Sequence, residues 1–124
     1  MELYKDTNVK ELKYKNIKIS KKIIINSNII NKKYGILIFY SPDCKHCKES
    51  VYLWSELSNN FSNFNFFAYN IYDFDNKNEY LLKDISIPSL PKIMFVTKKG
   101  TLYQFKEKCD YDNLFYFINK KLKQ

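Results

Sequence analysis

Six residues in succession, Gly35-Ile36-Leu37-Ile38-Phe39-Tyr40, carry no charge and little polarity. Such a run needs apolar cover on both faces, which predicts a central strand of a sheet. Ser41-Pro42-Asp43 breaks it. Beyond the break Cys47, Val51, Trp54 and Leu57 recur at intervals of three and four, the apolar face of a helix from about Cys44 to Ser58. Asn63 to Ile71, with Phe64, Phe66, Phe67, Ala68 and Ile71, reads as a second buried strand. Strand, helix and strand in that order predict a parallel βαβ unit with a right-handed crossover.

The remainder of the chain adds to this unit. Asn78 to Lys83 reads as a short helix, followed by a loop carrying Pro88 and Pro91. Lys92 to Thr97 and Thr101 to Lys106 read as strands joined by the turn Lys98-Lys99-Gly100. Asp110 can cap a last helix whose apolar stripe is Leu114, Phe117, Ile118 and Leu122. Upstream, the β-branched residues between Asn16 and Ile25 suggest a first, edge-lying strand, and Ser27 to Lys33 one or two helical turns. Met1 to Lys15 is polar with no sustained period, so it reads as an N-terminal extension to a domain spanning residues 16–124. The fold class is α/β, a mixed central sheet flanked by helices. At 124 residues the chain has room for one core.

The 21 basic residues are all lysine, and with abundant asparagine, isoleucine and tyrosine they point to an AT-rich genome. The net charge of +8 favours weak, salt-sensitive attraction to acidic partners. Specific nucleic-acid readout relies on arginine forks, and there are none, so no specific nucleic-acid role is expected. No run approaches the ~18 apolar residues that span a membrane, and the charged start is no secretory signal as it stands. A cytoplasmic monomer is the expectation. Three cysteines in an unexported chain argue for chemistry rather than a disulfide scaffold.

Two of them form Cys44-Lys45-His46-Cys47, where the buried strand ends and the helix begins. Unpaired amide N–H groups and partial positive charge at a helix start stabilise a thiolate. Lys45 and His46 add positive charge there; Asp43 opposes it. One helical turn brings the sulfurs within bonding range, with Cys44 exposed and nucleophilic and Cys47 a turn deeper, able to resolve a mixed disulfide. Two other readings fit a bare pair. Half a zinc site would need further ligands, and Cys109 is the one cysteine beyond the motif. Two inert cysteines on an apolar helix face are the other. No metal or cofactor is expected. Cys109 reads as a small, partly buried apolar residue, and Trp54 as core.

Phe39-Tyr40-Ser41-Pro42-Asp43-Cys44-Lys45-His46-Cys47-Lys48 resembles the active-site stretch of the thioredoxin superfamily. It is closest to the catalytic domains of protein disulfide isomerase. The resemblance runs from about Lys33 to Leu122. Leu90-Pro91-Lys92-Ile93-Met94-Phe95 resembles the family's cis-proline loop and following strand, which implies that Leu90, Pro91 and Lys92 hold the substrate chain opposite the disulfide. Pro88 competes for the cis role but would leave Pro91 inside a strand, where it removes a ladder donor. Two ordinary trans prolines are the third arrangement.

Departures from the family pattern bear on the chemistry. Ile38 stands where the family has a buried acid, six residues before the first cysteine. Asp43 replaces a tryptophan, Tyr52 the proline that kinks the helix, and Lys92 a threonine. Because Lys45, His46 and Lys92 outnumber Asp43, the disulfide is expected nearer the ~−180 to −230 mV band of isomerases and glutaredoxins than ~−270 mV. The resemblance implies a thiol–disulfide oxidoreductase acting on cysteine-containing proteins with a redox partner. A thioredoxin-fold binding or chaperone module with little turnover is the alternative. An active-site pattern like an oxidising enzyme's in an unexported chain is compatible with a large cytoplasmic DNA virus, with a virus particle or viral factory as its location.

Overall fold

The computed structural model describes residues 3–19, 21–76 and 90–123. Strand β4, Gly35–Tyr40, is buried at every position, as its apolar run requires. It pairs in parallel with β5, Asn65–Asn70, and antiparallel with β6, Lys92–Val96. Beyond β6 lies β7, Leu102–Gln104, and beyond β5 lies β1, Lys10–Leu12. The main sheet is therefore mixed, in the order β1-β5-β4-β6-β7. Helix α2, Lys45–Asn60, links β4 to β5 and gives the expected parallel crossover.

One face of the sheet packs a cluster of Ile36, Ile38, Ala68 and Ile93 under Trp54 and Leu57 of α2 and Leu114 and Ile118 of α3, Tyr111–Leu122. Trp54 is core, edge-on to Phe66, with its indole N–H donating to the Phe67 carbonyl at 3.3 Å. Asp110 caps α3 as its position predicts, accepting from the Asn113 amide at 2.9 Å. The opposite face buries Leu37, Phe39, Phe67 and Val96 with Ile25 and Ile30. Among the described residues, no helix is long and apolar enough to cross a membrane.

The N-terminal third departs from expectation. Residues 16–25 do not join the main sheet as an edge strand; Ile17–Ile19 (β2) and Ile23–Ile25 (β3) pair with each other in a separate antiparallel sheet. A short helix α1, Ser27–Ile30, follows. The hairpin is tied to the β6–β7 turn, where the Ile25 amide donates to the Gly100 carbonyl at 2.9 Å. Gly100 has φ +88°, and a Cβ there would lie 2.3 Å from the Ile25 carbonyl oxygen, so this turn requires glycine. The edge strand is instead β1, drawn from the stretch read as an extension. Its own Leu12 is buried, as are Tyr4 and Val9 ahead of it. Lys10 is exposed and Leu12 buried, as an edge strand with one solvated side allows. The short helix expected at 78–83 and the proline at 88 lie outside the described residues.

Candidate active site

Strand β4 ends at Tyr40, and the break Ser41-Pro42-Asp43 turns the chain into α2. Cys44 is the N-cap of that helix: its backbone is extended and its carbonyl accepts from the Lys48 amide at 3.1 Å. A sulfur occupies the place where a serine or aspartate oxygen usually sits. The Cys44 sulfur accepts the Cys47 amide N–H at 3.2 Å, so one orphan donor of the first turn points at the reactive atom. The Cys44 thiol also donates to the Leu90 carbonyl at 3.6 Å. The Leu90–Pro91 peptide bond is cis. The cysteine pair and the proline loop, 46 positions apart in sequence, thus face each other.

The two thiols differ sharply in setting. Cys44 is half-buried, whereas Cys47 is wholly enclosed in the core beneath α2. Burial, then its hydrogen bond with Cys44, pushes the Cys47 thiol up to about 12, partly opposed by the Ser41 backbone. All three cysteines are free thiols in this structure.

Of the charged neighbours, Asp43, Lys45 and His46 are all exposed. His46 meets Glu49 one turn on, with Nδ1 3.3 Å from Oε2, a partner that the sequence reading did not weigh. An i,i+3 spacing on a helix was the available signal. Tyr52 is exposed on α2, where the sequence reading found the family's helix-kinking proline replaced. Lys92 begins β6 opposite Phe39, beside a groove of about 480 Å³ that it shares with Lys21, Lys22 and Tyr103. Cys109 is partly buried at the rim of the core; burial, then Asp110, raises its thiol. It shares a cleft of about 260 Å³ with Pro91 and Lys92, a proximity its sequence position does not reveal. Among the described residues, no three His, Cys, Asp or Glu side chains come together as a metal site.

A mixed five-stranded sheet with a Cys-x-x-Cys pair capping the helix after its central strand defines a thioredoxin-like dithiol protein. The thioredoxin family model matches residues 15–120, and the chain belongs to that family. Thioredoxin f from spinach chloroplast is similar over 90% of this chain and 91% of its own, at 17% identity and TM-score 0.66. The J-Trx1 fragment of ERdj5 is similar at 15% identity and TM-score 0.74, over 98% of this chain and 56% of that one. The first two thioredoxin domains of Saccharomyces cerevisiae Eps1p are 25% identical over 77% of this chain and 37% of theirs, with TM-score 0.60. No curated protein matches the sequence.

Proposed function

We propose that the protein is a thiol–disulfide oxidoreductase acting on protein cysteines. The observation that carries this reading is the Cys44 sulfur, held by the Cys47 amide and facing the Leu90 carbonyl beside Pro91. In the reducing direction, the Cys44 thiolate attacks a substrate disulfide, forming a mixed disulfide and expelling one substrate thiolate. Cys47 loses its proton and attacks the Cys44 sulfur. The Cys44–Cys47 disulfide forms, the second substrate thiolate leaves, and two electrons have passed to the substrate. The reverse sequence oxidises a substrate dithiol.

Lys92 and the neighbouring lysines place positive charge beside the loop that would hold the substrate chain, which favours acidic segments near the reacting cysteine. A reductase or oxidase must reset the pair. A thioredoxin f2, 19% identical over 91% of this chain and 94% of its own, has been solved in complex with ferredoxin:thioredoxin reductase. The competing reading, a binding module with little turnover, draws on the deep burial of Cys47, which slows its ionisation. Insulin reduction with dithiothreitol separates them. An oxidoreductase accelerates precipitation of the insulin chains, and a rate equal to the protein-free control rejects the proposal.

A further inference from the structure

Strand β7 ends the main sheet. The Phe105 amide donates to the Ile93 carbonyl at 3.3 Å, and the Thr97 amide to the Thr101 carbonyl at 3.0 Å. Odd-numbered residues along β7 therefore bond to β6, and the backbone groups of Leu102 and Gln104 point outward. Strand β3 meets that outer edge at the single pair Ile24 and Thr101 and goes no further along it. Among the described residues, the Gln104 N–H and carbonyl thus have no strand beside them. Such an edge is a template for an added strand.

The groove of about 480 Å³ beside Lys92 follows this edge. Gln104 pairs with Met94 and Tyr103 with Phe95, so their side chains leave opposite faces of the sheet, yet both line the groove. It therefore runs round the rim of β7. Its floor is Phe39, Met94 and Leu102, and its far wall is Lys21 and Lys22, just ahead of β3. Both of these lysines are exposed, and the Lys22 Nζ stands 5.7 Å from the Tyr103 ring centroid, across the groove. Among the described residues, no aspartate or glutamate lines it. Lysines along an open edge repel a second copy of a chain carrying +8, which keeps like edges from pairing. The same charge above an apolar floor suits an acidic strand.

We propose that the outer edge of β7 and the lysine groove beside it hold an extended, acidic segment of a partner protein as an added strand. The Gln104 N–H and carbonyl supply main-chain hydrogen bonds, which fix the segment as a strand. Alternate apolar side chains turn to Met94 and Leu102, and the acidic ones between them meet Lys21 and Lys22. The groove ends at Lys92, the residue after Pro91, so a bound segment leads toward the reacting cysteine. Delivery of the partner's own cysteine to Cys44 rests on the dithiol reading above; the strand site itself does not.

The test uses the full chain and a fluorescein-labelled decapeptide that alternates glutamate and valine and has no cysteine. Anisotropy at low ionic strength should show saturable binding. Lys21→Gln combined with Lys22→Gln should weaken it about tenfold, in keeping with the loss of two partly exposed charges. At saturation the Gln104 amide should exchange with deuterium at least about tenfold more slowly, because its N–H gains a partner. Wild-type affinity in the double variant overturns the site, and unchanged Gln104 exchange overturns the added strand. A decathymidylate that binds as tightly as the peptide marks general attraction to polyanions and overturns both. Because the probe carries no thiol, the two readings fail separately. A chain that accelerates insulin reduction but does not bind the peptide overturns the groove alone; one that binds it without accelerating reduction supports the groove and rejects the dithiol reading.

Discussion

The Cys47 amide N–H points at the Cys44 sulfur across 3.2 Å, while the Cys47 thiol is shut inside the core. One residue thus serves the pair twice: its backbone supports the outer sulfur, and its side chain holds the inner one protonated. That asymmetry separates attack from resolution and makes the site sensitive to pH, local charge and the packing beneath the helix.

The pH dependence follows from Cys47. Its folded-state value is raised from 9.0 to about 12, so between those limits the unfolded chain binds fewer protons than the folded one. Stability from this group is complete below about pH 9 and is lost as pH rises toward 12. The reduced wild-type protein should lose about 1 kcal/mol per pH unit above pH 9 relative to reduced Cys47→Ala, read from paired urea titrations. Comparison with that variant cancels the buried tyrosines, which shift the same way. Parallel curves for the two proteins from pH 8 to 11 count against an enclosed thiol.

Charge at the helix start should set the redox poise. Proline at position 46 is compatible with the first helical turn and leaves the Cys47 amide free to reach Cys44. Removing the imidazole takes away up to ~1 kcal/mol of support for the Cys44 thiolate. Glu49 already absorbs part of its charge. Glutathione equilibration of His46→Pro should therefore give a potential about 10–20 mV more negative than wild type. Asp43→Trp should move it the other way. Identical potentials for all three proteins would remove local charge from the explanation.

The centre of the fold was legible because its signals are local. An apolar run of six and a three-and-four spacing specify β4 and α2 without help from distant residues, and the cysteines fall at their junction. The N-terminal third was not legible. Lys10–Leu12 is too short to show alternation, and its pairing with Phe67–Tyr69 is a contact 57 positions away. The same holds for the site: the pair was readable from spacing, whereas the approach of Cys109 to Pro91 depends on how distant elements pack. Ile38 is apolar and buried, as its place in the run predicts.

The burial of Ile38 in the cluster that encloses Cys47 yields a prediction for Ile38→Asp. Placing a carboxyl on the central strand buries a polar group without a partner and should cost about 2–4 kcal/mol, measured by urea unfolding. Resolution of the mixed disulfide should accelerate by about 100-fold, the lower end of a positioned proton acceptor's contribution, because the new carboxylate can take the Cys47 proton. A rate unchanged from wild type in the folded variant would show that another group already takes that proton.

The division of labour between the sulfurs is the central claim, and trapping tests it most directly. Each single variant is incubated with oxidised protein substrates and resolved by non-reducing electrophoresis. Cys47→Ser should accumulate mixed disulfides through Cys44, which attacks but cannot be released. Cys44→Ser should accumulate almost none, because Cys47 is buried and protonated at neutral pH and burial raises the Cys109 thiol as well. Equal trapping by the two variants, or trapping by Cys44→Ser alone, would contradict the account.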